Sequence, residues 1–546
     1  MKKGFLIAVC FMMLAGICHA DESLLPSPNN KVGIHVSTPV SDEDIIDSAN
    51  LINSNGGEWG YMMLVLQRNA YVRPRWQETF DKLRLHKIIP CIRVATEAEG
   101  SNWKRPENKD AYLAAYFLNS LSWPTKMQCV VLFNEPNHGS EWGGTCDGAD
   151  YADKVTFYSK VFKQMNPNFF VMMAGFDQSA PESPPAYCDE GQFVKKMMAA
   201  QPELFAHIDG WSSHSYPNPG FSASPLKRGR GSIDGYNWEL ALIGKNLPIF
   251  ITETGWSSSG LSQQQIANNY LSAYTHLWLP DDRIKAVMPF ILTYITEPFA
   301  KFSWRQPSGG QNFYPVYDAV KSIQKQKGKP QQIQRASILA KLPKVLVVNS
   351  TYQLQAWVRN DGQAIWDKRD GYEIKAITKP PFEVQFSPIF NVLPGRAAVM
   401  TMLFNSAGYR GKHLLPVGLY KDGELVIKLF DYEFEIVDEP SLQVSAKTFP
   451  SFDLNGEVEL LIYDKNERLV FKEKNVKVSR GLLILDKITG ITLGDKHRVV
   501  IIFPSYLPRQ EFVTFKKGVN GITFKPLLPG DFNKDGKWSI EDLLRK

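Results

Sequence analysis

The sequence predicts a multidomain chain: a (β/α)8 TIM barrel, then two small all-β domains, then a short EF-hand-like tail. Three observations carry this reading. Strand-length apolar runs alternate with longer amphipathic segments between residues 30 and 326. The polar, Lys/Gln-rich stretch "IQKQKGKPQQIQR" (323–335) has the character of a domain junction. Beyond it the helical period gives way to short alternating runs, and the chain closes on "GDFNKDGKWSIEDLLRK".

With 546 residues the chain exceeds what one core supports, and 44% hydrophobic with 22% charged residues describes a globular protein. Lys2 and Lys3 precede the apolar "GFLIAVCFMMLAGI", and "CHA" ends at Ala20. Basic, apolar and small-residue segments in that order are a secretory signal over residues 1–20, so the mature chain is expected to be secreted. The stretch is too short to span a bilayer comfortably, and no second run long enough follows. Ile17 stands where a lipoprotein signal before Cys18 would want a small residue. Loss of Lys2 and Lys3 takes the formal charge from +6 to +4, and scattered basic residues do not indicate nucleic acid.

The runs expected to form the barrel strands are "VGIHVS" (32–37), "GYMMLVLQ" (60–67), "IIPCIRVA" (88–95) and "CVVLFNEPN" (129–137). "FVMMAGFD" (170–177), "IDGWSSHSY" (208–216), "PIFITETGW" (248–256) and "AVMPFILTYI" (286–295) follow. Apolar residues on both faces suit buried parallel strands. "PRWQETFDKLRLHK" (74–87) and "SQQQIANNYLSAYTHLWL" (262–279) read as intervening helices. A doubly wound open sheet is the rival, but no glycine-rich dinucleotide fingerprint follows the first run. Cys91 and Cys129 fall inside apolar runs and read as buried thiols. Cys146 and Cys188 lie in Gly/Pro-rich loops, where an exported protein could cross-link them or leave them free.

Residues 336–438 give the short runs of a β-sandwich, with a "KDGE" hairpin turn. Residues 440–526 read as a second small all-β domain, with a hairpin in "VELLIYDKNERLVFKEKNVKV". The stretch "WVRNDGQAIWDKRDGYEI" resembles the Trp-containing strands of immunoglobulin-like accessory modules in secreted enzymes.

In "VVLFNEPNHGSEWGG" (130–144) a strand-length apolar run ends directly on a carboxylate, Glu135. In a barrel, the C-terminal strand ends form the reactive rim. Glu253 ends the seventh run, His214 and Tyr216 the sixth, and Arg93 lies near the end of the third. Asn134-Glu135-Pro136 with Glu253, joined by the His-x-Tyr of "HSY", resembles the retaining glycoside hydrolases of the (β/α)8-barrel clan A (the 4/7 superfamily), over roughly residues 32–326. That resemblance implies Glu135 as acid/base, Glu253 as nucleophile and Asn134 as a donor to the sugar 2-hydroxyl. Two carboxyls are needed because the leaving oxygen takes a proton while the oxocarbenium-like centre takes electron density. Tyr216 and Arg93 are expected to keep Glu253 ionised.

Glu97, Glu99, Glu141 and Glu297 also follow strand-like runs, and Glu297 in "YITEPF" is the rival nucleophile. Trp59, Trp103, Trp142, Trp256 and Trp304 are placed in or near rim loops, where indole faces can stack on pyranose rings. By resemblance Trp304 would floor the subsite of the cleaved sugar. His214, Tyr216, Arg93, Asn134, Trp256 and Trp304 are therefore the expected substrate-binding set.

In the tail (528–546), Asp531, Asn533, Asp535, Ser539 and Asp542 occupy positions 1, 3, 5, 9 and 12 of an EF-hand-like calcium loop. Gly536 supplies its turn and the Lys537 carbonyl position 7. It resembles one dockerin repeat, which implies bound Ca2+ and a cohesin-type scaffold partner. The expected function is that of a secreted retaining glycosidase, with no cofactor for catalysis, cleaving β-linkages in a poly- or oligosaccharide. The alternative is a non-catalytic carbohydrate-binding protein on a barrel scaffold, which the intact acid pair disfavours.

Overall fold

In the computed structural model, residues 24–308, 312–339 and 342–543 are described; the signal segment 1–20 lies outside them. The chain forms two compact units that divide between Ile333 and Gln334. Among the described residues of the first unit, eight parallel strands alternate with eight α-helices. They run β1 (Gly33–His35), α1 (Asp42–Ile52), β2 (Gly60–Gln67), α2 (Arg73–Leu85), β3 (Ile88–Ala95), α3 (Asn108–Asn119), β4 (Gln128–Leu132) and α4 (Gly148–Met165). There follow β5 (Phe169–Met173), α5 (Glu190–Ala200), β6 (Trp211–His214), α6 (Gly235–Ile243), β7 (Ile249–Glu253), α7 (Gln263–Ala273), β8 (Ile284–Val287) and α8 (Pro315–Ser322).

Strands β1 to β5 pair in chain order, as do β6 to β8. Parallel bridges Val32–Val287 and Met172–Gly210 join the two sheets at both seams and close the barrel. Each strand is covered twice. On β2, Met62, Leu64 and Leu66 pack under the helices, while Tyr61 and Met63 fill the lumen with Ile89, Val131, Phe170, Met172 and Phe250. That double burial explains why these runs are continuously apolar. The helices start where side chains satisfy their free N–H groups: Ser41 caps α1, Asp147 caps α4, and Ser262 with Gln265 forms a capping box on α7.

The lumen holds one correction. Cys91 stands opposite Cys129 in the β3–β4 register, both side chains point inward, and they form a disulfide instead of two buried thiols. Alternation along each strand identifies an inward residue; only the pairing register tells which inward residues are opposite one another. Cys146 and Cys188, in the loops leading to α4 and α5, are also joined. Thiol titration of the denatured, unreduced mature chain is therefore expected to find no free cysteine. Four free thiols would contradict both bonds.

In the second unit, two four-stranded sheets face each other around Tyr352, Leu354, Trp366, Met402, Phe404 and Phe434. The strand Thr351–Asn360 alternates exposed and buried at every position, as a sheet with one wet face requires. Asp422 and Gly423 both take positive φ in the hairpin between Gly411–Lys421 and Glu424–Val437, where the tight turn needs them. A second β-rich core follows around Leu442, Leu460, Ile462, Val499 and Ile501, and Gly456–Tyr463 pairs antiparallel with Leu469–Val478. No helix among the described residues is long and apolar enough to cross a membrane.

Candidate active site

The mouth of the barrel is built by strand ends. β4 stops at Leu132, after which Phe133 and Glu135 both adopt positive φ (73° and 29°). Such conformations cost about 1 kcal/mol or more per non-glycine residue and persist only where surroundings enforce them. Here the Phe133 N–H donates to the Val94 carbonyl at 3.0 Å, and the Glu135 N–H to the Gly175 carbonyl at 3.2 Å. The turn swings the Glu135 carboxylate over the lumen. Glu253 is the last residue of β7 and lies in register with His214 of β6. Neighbouring registers thus bring the two acids to the same level.

Glu253 is only 8% exposed and is held from two sides. Arg93 Nη1 donates to its Oε1 at 2.5 Å, and Tyr216 OH donates to its Oε2 at 3.0 Å. The same Arg93 nitrogen donates to Asn134 Oδ1 at 2.6 Å. His214 Nδ1 donates to Glu135 Oε1 at 2.8 Å and is 3.9 Å from Glu253 Oε2. One carboxylate oxygen of each acid and a ring nitrogen of His214 lie within 4.8 Å of one another. Gly175 permits this: a Cβ there would sit 2.2 Å from His214 Cδ2.

The electrostatics separate the groups. Burial raises the Glu253 carboxyl, but the His214 and Arg93 charges outweigh it and hold the group well below the ordinary carboxylate range. Burial disfavours the His214 imidazolium, yet Glu253 and Glu135 overcome that and push its pKa up. Burial raises Tyr216 well above the usual phenol value, assisted by Glu253, so it stays a donor. His35, at the end of β1, is driven down to about 3 by burial and then by Arg93. It is therefore a neutral acceptor facing Arg93 Nη2 at 3.3 Å.

A cleft of about 710 Å³ opens over these groups, lined also by Trp103, Phe221, Phe290, Tyr294, Phe299 and Phe302. The expected residues Arg93, Asn134, Glu135, Tyr216 and Glu253 all line it, whereas His214 does not and is buried behind Glu135, to which it bonds. Trp256 and Trp304 do not line it either. Both are 2% exposed, pack on Tyr270 of α7, and belong to the core between barrel and helices. Past Glu253 the indole of Trp256 bonds the Ala223 carbonyl at 2.8 Å. The aromatic wall after β8 is instead Phe290, Tyr294, Phe299 and Phe302. Of the other indoles, Trp103 reaches the cleft, Trp142 is fully buried behind its wall against Phe133 and Tyr151, and Trp59 packs against the lumen core. Glu97 pairs with Arg68 and Lys104, Glu297 is exposed, and neither lines the cleft.

Sequence reasoning missed His35, His138 and Asp177, and passed over Glu141. His35 is a histidine inside an apolar run, and Asp177 is a further acid at a strand end, so each left a signal. Glu141 lines the cleft, and burial, reinforced by the Glu135 charge, raises its carboxyl to about 7.

No family model and no curated protein matches the sequence. Among solved structures, the chain is similar to an endo-β-1,4-glucanase of Xanthomonas axonopodis pv. citri at 11% identity and TM-score 0.38, covering 53% of this chain and 98% of that one. It is similar to a glucosidase of Croceicoccus marinus at 10% identity and TM-score 0.40, covering 84% and 94%. It is also similar to a glycoside hydrolase family 30 subfamily 8 xylanase of Clostridium acetobutylicum at 11% identity and TM-score 0.32, covering 69% and 96%. Likenesses this distant carry no argument about chemistry, which rests on the site itself.

Proposed function

We propose that the chain is a retaining glycoside hydrolase acting on β-linked poly- or oligosaccharides, with Glu253 as nucleophile and Glu135 as acid/base. The observation that carries this reading is the placing of two carboxylates, one oxygen of each within 4.8 Å of the other, at the mouth of an aromatic-lined cleft. Retaining enzymes set their carboxyls about 5–5.5 Å apart, whereas inverting ones need about 6.5–9.5 Å to admit a water.

In the first step a Glu253 oxygen attacks the anomeric carbon, forming a glycosyl ester. The bond to the glycosidic oxygen breaks, and Glu135 gives that oxygen its proton. In the second step Glu135, now a carboxylate, takes a proton from water as the water oxygen attacks the same carbon, releasing Glu253. Arg93 and Tyr216 keep Glu253 ionised and aimed, and Asn134, held through its Oδ1 by Arg93 and through its amide group by Glu141, is the residue whose amide would donate to the 2-hydroxyl. Glu135, His214 and Glu253 together could also ligate a cation, but the guanidinium at 2.5 Å already satisfies Glu253 and favours the carbohydrate reading. The test is incubation with β-glucan, β-mannan, β-galactan and xylan, following the anomeric configuration of the first product by proton NMR. A β-configured initial product supports the reading. Binding to one of these polymers without turnover would replace it with the lectin-like alternative.

Export with loss of residues 1–20 belongs to the same proposal, and two disulfides suit an oxidising compartment. So does a calcium ion in the tail. Asp531 Oδ1 is buried without a hydrogen-bond partner among the described residues, and Asn533, Asp535, Ser539 and the Lys537 carbonyl supply further hard oxygens. Asp542 braces the loop, accepting from the N–H groups of Phe532 at 2.9 Å, Asn533 at 3.1 Å and Ser539 at 2.8 Å. A cohesin-type scaffold would dock on this loop. Calorimetric titration of the chelator-stripped protein with calcium is expected to give a binding isotherm that Asp531→Ala abolishes. No heat in the parent protein would remove calcium from the proposal.

A further inference from the structure

The carboxyl of Glu135 lies between two imidazoles. His214 takes Oε1 from the buried side, and His138 faces Oε2 from the cleft, its Nδ1 3.9 Å away. At that distance the second contact is electrostatic rather than a hydrogen bond.

We propose that His138, oriented by Asp177, is a positioning residue for Glu135 that stabilises the charge appearing on Oε2 each time Glu135 gives up its proton. The inference rests on the glycosidase reading above.

The dyad is built rather than incidental. His138 Nε2 bonds Asp177 Oδ2 at 2.9 Å, which assigns a proton to Nε2 and turns Nδ1 toward Glu135. Asp177 is itself fixed: the Ser179 N–H donates to its Oδ1 at 2.8 Å. Asn137 clamps its backbone, donating to the Asp177 carbonyl at 2.9 Å and accepting from its N–H at 3.2 Å. The His138 ring stands edge-on to Tyr187, 4.9 Å between centroids. Both His138 and Asp177 line the cleft, so they are in place when a sugar is bound.

The charges favour the role. The acids facing His138 are Asp177, Glu135 and Glu141; burial opposes the imidazolium, but these three together push its pKa up. Around the Glu135 carboxyl stand His214, His138, Glu141, Glu253 and Tyr216. His214 is shared with Glu253, and Glu141 and Glu253 are acids, which leaves His138 as the cation of this set that faces Oε2 of Glu135 from the cleft. A fixed positive group aimed at an atom where negative charge develops lowers a barrier without reorganising.

The effect should appear only where Glu135 changes charge in the measured step. With strongly activated leaving groups the first bond breaks with little proton donation, and with weak ones it needs the acid. The experiment compares kcat/KM for phenyl and 2,4-dinitrophenyl β-glucosides, mannosides, galactosides and xylosides in the parent protein, His138→Ala, His138→Gln and Asp177→Asn. His138→Ala is expected to lose about tenfold or more on the phenyl glycoside and about twofold or less on the dinitrophenyl one. His138→Gln, which keeps an N–H toward Asp177, should recover part of the loss, and Asp177→Asn should reproduce the substrate-dependent pattern more weakly. Equal losses on both substrates would mean a structural role and overturn the inference, as would no loss on either. Aryl glycosides of the oligosaccharides released from the polymer panel are assayed alongside. A parent protein that cleaves neither these glycosides nor the polymers overturns the glycosidase reading, and this inference falls with it.

Discussion

Glu253→Ala is expected to lose about 10⁴- to 10⁶-fold in kcat, the scale seen when a covalent nucleophile is removed. The reason is positional. Glu253 is the acid on the β7 side of the cavity, and Arg93, Tyr216 and His214 are all spent on keeping it charged and still. A glutamine would keep the volume but lose both the charge that attacks and the ion pair that orients it. Added azide should restore turnover in the alanine variant, because a small anion can enter the space left by the carboxylate. It would attack the same face of the sugar and then not be displaced, so the product is a glycosyl azide of inverted configuration. Loss without rescue in a folded variant would count against Glu253 as nucleophile, and near-normal turnover would exclude it.

Glu135→Ala has the second largest expected effect, and its signature differs. Removal of a positioned general acid costs about 10²- to 10⁴-fold, so a phenyl glycoside should fall in that range. A dinitrophenyl glycoside should still form the glycosyl ester, whose hydrolysis then lacks a base. A burst of dinitrophenolate followed by a slow steady state, with kcat and KM falling together, is the expected trace. Azide should accelerate the second phase and give a product of retained configuration, since it attacks the ester from the opposite face. Identical losses on both substrates would show that Glu135 is not the acid.

Much of this site was legible in the sequence because a parallel strand forbids charge along its length and permits it at its end. Glu135, Glu253, His214 and Tyr216 stand out against apolar runs for that reason, and the barrel arithmetic then sends them to one rim. What failed was direction beyond the strand. Trp256 and Trp304 lie past the last paired residues of β7 and β8, where alternation no longer governs which way a side chain points, and both turned toward α7. His35 was hidden for another reason. Its place beside Arg93 depends on the register of β1 on β2 and β2 on β3, which local pattern does not record. The Cys91–Cys129 bond likewise needed the β3–β4 register. Glu141 looked like any loop acid, and only its burial beside Glu135 sets it apart.

The central claim is that Glu253 bonds covalently to the sugar. Incubation with 2-deoxy-2-fluoro glycosides bearing an activated leaving group, chosen from the sugar the polymer panel identifies, should stall the reaction after its first step. Peptide mapping by mass spectrometry is then expected to place the fluoro-sugar on Glu253, within "PIFITETGW". A label on Glu297, or steady hydrolysis with inverted product and no labelled carboxylate, would contradict the account.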